Sequence, residues 1–197
     1  MIGFQGEDGA FSDEAARALG ARETRGFTSF DALLAAVESG EIAAALLPWE
    51  NSISGPVAAA RSALERRPGL RVEREHAHAI EQCLLGVPGA SFEGLRRVHS
   101  HPVALAQCGA FFARHPQLEP VPSYDTAGAV REIATQADPA DAAIGPALCA
   151  RRYGAAVLRR AVQDRASNVT RFLWVVRPGP RSDNRADSSL PLPSCSA

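Results

Sequence analysis

From Ile2 to Val176 the chain repeats one pattern: a short apolar run, a polar junction, then a stretch with helical spacing. Ile2 to Gln5 reads as a first strand ending at Gly6. Ser12-Asp13-Glu14 offers an N-cap with acids in the first turn, followed by Ala15, Ala16 and Leu19 at helical spacing and a stop at Gly20. Ser29 caps a second helix through Leu33, Leu34 and Val37, ended by Gly40. Ile42 to Leu47 is continuously apolar and bounded by Gly40 and Pro48, the signature of a buried parallel strand. Gly55-Pro56 opens a helix to Arg66, and apolar runs follow at Ala77 to Ile80 and Cys83 to Val87. Arg97 to Ser100 is a strand end, and Pro102 suits the first position of a helix reaching about Arg114. Pro120 to Ser123 is extended, Asp125 caps a helix through Val130 and Ile133, and Ala142 to Ile144 is a buried strand. Pro146 opens a helix ending near Tyr153-Gly154; Val157, Val162 and Thr170 to Val176 are extended. Strand and helix in alternation predict an α/β fold with mainly parallel sheets. From Gly179 to Ala197 the chain turns to Pro, Ser, Arg and Asp without periodicity, which predicts a disordered tail.

Composition narrows the function. The 197 residues carry a formal charge of −1, so the basic field of a nucleic-acid binder is absent. No apolar stretch is long enough to span a membrane, and the start Met1-Ile2-Gly3-Phe4 has no secretory character. The four cysteines, Cys83, Cys108, Cys149 and Cys195, are scattered, with no pair at ligand spacing. No metal site is expected, and reduced thiols of a cytoplasmic protein are.

Chemistry in open α/β sheets sits beyond the carboxyl ends of strands, against helix N-termini. Applied here, that rule selects Gln5 to Ser12, Pro48 to Gly55, Ser100-His101-Pro102, Ser123 to Ala127, and Asn168 to Phe172. These junctions carry Ser, Thr, Asn, Gln and Glu, and backbone N–H groups at helix starts take anions without formal charge. The implied site is a hydrogen-bonding pocket for a small carboxylate-bearing molecule. Each junction also has a plain structural account. Gly6 to Gly9 lacks the spacing of a dinucleotide loop and is a simple turn. Glu50 can be a surface acid, His101 and Asp125 helix caps, Gln107 a solvated side chain, and Thr170 a β-former. Singly, none decides a function.

Together and in order, these segments resemble the prephenate dehydratase family, including arogenate dehydratase. The matching stretches begin with Gly6-x-x-Gly9-Ala10-Phe11-Ser12 and Pro48-Trp49-Glu50-Asn51-Ser52-x-x-Gly55-x-Val57. They continue with Ser100-His101-Pro102-x-Ala104-Leu105-x-Gln107-Cys108, Asp125-Thr126-Ala127, and Ala142-Ala143-Ile144-Gly145 with Tyr153-Gly154. They end in Gln163-Asp164-x-x-x-Asn168-x-Thr170-Arg171-Phe172.

The resemblance implies two α/β lobes of periplasmic-binding-protein-like (type 2) architecture, with the active site in the interlobe cleft. Lobe one would be residues 1 to about 76 plus 157–178, and lobe two the stretch between. It implies a carbon–oxygen lyase of phenylalanine biosynthesis, converting prephenate to phenylpyruvate, carbon dioxide and water. Aromatisation drives that reaction, so no cofactor is expected. The hydroxide-side role falls to Thr170 as a positioned donor, with Glu50 able to supply a proton only if buried. Asn51, Ser52, Ser100, Gln107, Thr126, Ala127 and Asn168 fall at substrate-binding positions. Arg171 could pair with a substrate carboxylate or form an internal ion pair, and Phe172 would pack the cleft floor. Two positions depart from the common pattern: Val103 stands where many members have Gln, and Asp125 where many have Ser. An Asp beside an anionic substrate is awkward unless its charge is spent capping a helix. A regulatory ACT domain usually follows; about 20 residues after the last strand leave no room for one, so none is expected. The expected partners are the small-molecule substrate and further copies of the chain, with no nucleic acid and no membrane. The alternatives are arogenate dehydratase activity, a non-aromatising prephenate decarboxylase, and a non-catalytic small-acid-binding module.

Overall fold

The computed structural model describes residues 1–179. The expected tail beyond that point, and Cys195, lie outside the described residues. The chain divides into two compact units: residues 1–5, 16–78 and 169 onward form the first, and residues 6–15 and 79–168 the second.

The first unit holds β1 (Ile2–Gln5), β2 (Thr24–Phe27), α2 (Phe30–Ser39), β3 (Ala44–Asn51), β4 (Gly55–Pro56), α3 (Ala58–Glu65), β5 (Arg71–Ala79) and β11 (Val169–Val176). The strand order is β2-β1-β3-β11-β5, with β4 added beside β3. β1 is parallel to β2 and β3, whereas β11 runs antiparallel to β3. Its core packs Leu33, Leu34 and Val37 of α2 against Ala45 and Leu47 of β3 and Leu173 and Val175 of β11. Helix α2 is bounded as its sequence requires. Ser29 accepts the Ala32 N–H, and Gly40 closes the far end at φ 81°, a backbone region that favours glycine.

The second unit holds β6 (Cys83–Gly86), β7 (Arg97–Ser100), α4 (Pro102–Ala106), α5 (Gly109–Arg114), β8 (Glu119–Pro122), α6 (Thr126–Gln136), β9 (Asp141–Gly145), α7 (Leu148–Tyr153) and β10 (Ala156–Arg159). The strand order is β10-β6-β9-β7-β8. β9, β7 and β8 are mutually parallel; β6 is antiparallel to both β9 and β10. Leu84, Val98, Phe111, Ala142 and Ile144 form the core. Helix α1 (Phe11–Ala18) follows the Gly6–Ala10 turn, with the Asp13 carboxylate accepting the Gly9 N–H at 2.9 Å.

Three expectations change. Both sheets are mixed, not mainly parallel, because β10 and β11 return late in the chain along strands laid down earlier. Pro48 does not end its strand: β3 continues to Asn51. The register against β11 shifts between Arg171 and Phe172, so Pro48 sits at a bulge, where a missing N–H is tolerated. The helix after His101 breaks at Gln107-Cys108, because Asp164 occupies the gap. Its N–H bonds the Gln107 carbonyl, and its carboxylate accepts the Ala110 N–H of α5. β10 pairs with β6, and the first unit resumes at Val169.

Candidate functional site

The antiparallel register of β3 and β11 sets Thr170 opposite Asn51 and Arg171 opposite Glu50. Cross-strand partners lie within side-chain reach, so two interactions follow from one register. Asn51 Nδ2 donates to Thr170 Oγ1 at 2.9 Å and to the Val169 carbonyl at 3.3 Å. The amide cannot be the other way round. Its Oδ1 accepts from the Ile53 N–H, the Ser54 N–H and the Ser54 hydroxyl, all donors. The polarity of Thr170 follows: its oxygen receives the Asn51 N–H, which leaves its own proton to be donated onward. Both of these Asn51 donations stay within the first unit, and one of them holds Thr170. Ser52 ties the same turn, its N–H to the Val169 carbonyl at 2.8 Å and its hydroxyl oxygen accepting the Val169 N–H at 3.0 Å.

Glu50 and Arg171 form an ion pair at 2.7 Å; Arg171 also reaches Glu75 at 3.4 Å, and Arg61 reaches Glu50 at 3.5 Å. Arg171 thus makes internal ion pairs within the first unit. The burial on which proton donation by Glu50 depended is absent, since its side chain is 42% exposed. Phe172 is buried, edge-on to the His78 ring at 6.3 Å. Arg61, Glu75 and Ser54 were missed by sequence reasoning; the first two approach Glu50 and Arg171 only through long-range pairing.

In the second unit, Asn168 and Gln107 come together: Asn168 Nδ2 donates to Gln107 Oε1 at 2.9 Å. Gln82, also missed, donates its Nε2 to the same oxygen at 3.2 Å. Ser100 is fully buried, and its hydroxyl donates to the Ile144 carbonyl at 2.7 Å, fastening β7 to β9. Thr126 and Ala127 open α6, with Thr126 half-buried and Ala127 buried. Asp125 caps that helix, accepting the Gly128 N–H at 2.8 Å. Burial pushes its carboxyl above the ordinary range, opposed by the Gly128 and Ala127 N–H groups. Its charge is thus engaged by the helix, the condition under which an acid is tolerated there. His101 caps α4 through Nδ1. Cys83, Cys108 and Cys149 are free and buried, and burial pushes the first two thiols up to about 12. Among the described residues no cluster of His, Cys, Asp or Glu could hold a metal ion, and no helix is long and apolar enough to cross a membrane.

These features describe an α/β protein with an oriented hydroxyl, Thr170, in its first unit and an oriented carboxamide, Gln107, in its second. The sequence model described as prephenate dehydratase matches residues 2–180. A bifunctional N-acyl-homoserine lactone acylase/prephenate dehydratase of Komagataeibacter europaeus is 38% identical over 188 residues, covering 91% of this chain and 66% of that protein. Arogenate dehydratase/prephenate dehydratase 2 of Arabidopsis thaliana is 36% identical over 177 residues, covering 89% of this chain and 46% of that protein. A crystal structure of prephenate dehydratase from Arthrobacter aurescens in complex with L-Phe superposes with a TM-score of 0.83 at 33% identity, over 91% of this chain and 61% of that one. The chain belongs to the prephenate dehydratase family, and it spans between about half and two thirds of these relatives.

Proposed function

We propose that this chain is a prephenate dehydratase, releasing carbon dioxide and water from prephenate to give phenylpyruvate. The observation that carries this reading is the Thr170 hydroxyl, whose oxygen accepts the Asn51 N–H and so keeps its own proton for donation. In the reaction the ring carboxylate leaves as carbon dioxide, and its electron pair enters the ring. The bond to the ring hydroxyl breaks, and the departing oxygen takes up a proton to leave as water. Hydroxide is a poor leaving group, so a donor fixed beside that oxygen lowers the barrier. A Thr hydroxyl does not ionise near neutral pH, so Thr170 acts as a hydrogen-bond donor and proton relay rather than as an acid. A donor matters more for the departing oxygen than for the intact hydroxyl, which places its effect in the transition state.

Gln107 and the Thr126 hydroxyl offer donors of the kind that take a carboxylate, the Ala127 and Gly128 N–H groups of α6 being engaged by Asp125. Arogenate, in which an amine replaces the keto group, can lose the same two groups, and the relatives of both names make it the second substrate to test. Three free buried thiols suit a reducing compartment such as the cytoplasm.

The test is incubation of the purified chain with prephenate, then ultraviolet detection of phenylpyruvate in alkali. Formation well above the uncatalysed rate is expected. Binding of prephenate without turnover would leave a small-acid-binding module, and release of carbon dioxide without aromatisation would mean a decarboxylase.

A further inference from the structure

A carboxamide is nearly symmetric in shape, so which end it presents is set by its neighbours. Gln107 is surrounded in a way that decides the matter. Two N–H donors, Gln82 Nε2 at 3.2 Å and Asn168 Nδ2 at 2.9 Å, converge on its Oε1 and fill both lone pairs. The Gln107 NH₂ group is left pointing away from that pair, on a half-buried side chain. The Gln82 backbone is held on both sides. Its backbone N–H donates to Gln163 Oε1 at 2.9 Å, and its carbonyl accepts the Val162 N–H at 2.9 Å. It is 2% exposed, and its own Oε1 is buried without a hydrogen-bond partner. A buried amide with an unmatched oxygen is a poor choice for packing, since an apolar side chain would avoid the desolvation. What Gln82 contributes is its N–H.

We propose that Gln82 is a positioning residue. Together with Asn168 it locks the Gln107 carboxamide with oxygen inward and NH₂ outward, so that Gln107 meets the substrate as a donor to a carboxylate or carbonyl oxygen. The inference rests on the prephenate dehydratase reading and assigns Asn168 the same supporting role. Without Gln82 the Gln107 amide can rotate. An outward oxygen would then face the oxygens of an anionic substrate.

The test uses Gln82→Met, which keeps length and loses the donor, beside Gln107→Leu and the double variant, each assayed with prephenate on the full chain. Gln82→Met should raise KM about three- to tenfold, the worth of one hydrogen bond, with kcat within about twofold. Gln107→Leu should raise KM at least as much. The double variant should match Gln107→Leu alone, because Gln82 acts through Gln107. Should Gln82→Met fold poorly, Gln82→Glu preserves the shape; above neutral pH it sets an acceptor against Gln107 and should raise KM further. A lowered Tm with unchanged KM in Gln82→Met, or additive effects in the double variant, would overturn the positioning role while leaving the enzyme reading intact. An unchanged KM in Gln107→Leu overturns it too, by removing Gln107 from binding. A wild-type chain without turnover overturns the enzyme reading, and the positioning role with it.

Discussion

At the scale of single residues, the hydrogen bond from Asn51 to Thr170 joins positions 119 apart in sequence. Thr170→Val removes the hydroxyl while keeping the β-branched shape of a strand residue. Turnover should fall on the order of 100- to 1000-fold, as when one preorganised donor is lost. KM should change little, as expected for an interaction made mainly in the transition state. The variant also strands a buried Asn51 N–H, which predicts a loss of about 1–3 kcal/mol in urea unfolding. Retention of more than about a tenth of wild-type turnover would remove Thr170 from the role of donor to the leaving oxygen. Asn51→Asp probes the polarity directly. A carboxylate oxygen opposite Thr170 would take its proton inward, so kcat should drop on the same order as in Thr170→Val although Thr170 is still there. Near-wild-type kcat in Asn51→Asp would show that the direction of this bond does not matter. The residue types at this site were legible in the sequence. Their pairing was not, because it depends on a strand register between distant segments.

Among the elements, the helices were easiest to read where a cap is chemical and local. Ser29, Gly40 and Asp125 occupy the caps their sequence neighbourhoods predict. Asp125 yields a prediction with a definite sign. Its carboxyl is held above the ordinary range by burial, so the folded state binds the proton more tightly than the unfolded chain. Such a group contributes most stability below the ordinary Asp value, and that contribution is lost as pH rises through the folded-state value. Asp125→Asn keeps an acceptor for the Gly128 N–H and removes the titration. Its Tm relative to wild type should rise between pH 4 and pH 7, measured by thermal denaturation at both; a relative fall would contradict the assignment. Asp125→Ala, which also loses the cap, should be less stable than Asp125→Asn by about 1 kcal/mol at either pH. Elements whose ends depend on distant partners were misjudged. β3 runs on through Pro48 because it carries one extra residue, Trp49, at a bulge against β11, and α4 stops where Asp164 inserts.

For the molecule as a whole, the first sheet cannot be completed until the last strand arrives. β11 lies between β3 and β5 and buries Phe172, Leu173 and Val175 almost completely. At about 1.5–3 kcal/mol per side chain, these contribute roughly 5–9 kcal/mol. That is comparable with the whole stability of a typical domain, about 5–15 kcal/mol. A chain ending at Ser167 should therefore lose the first unit. Trp49, 3% exposed and then the sole tryptophan, reports on it directly. Its fluorescence should shift to that of a solvated indole, and an unshifted spectrum would show that β11 is dispensable. By itself the sequence determined the α/β class, the helix caps, the apolar runs that become core strands, and the family, because these rest on local periodicity, local capping chemistry and ordered motifs. Only the tertiary structure decided that both sheets are mixed, that Thr170 is held by Asn51, that Arg171 is spent on Glu50 and Glu75, and that Gln82 and Asn168 converge on Gln107. Each of those depends on the register and approach of segments far apart in the chain, which local pattern does not encode.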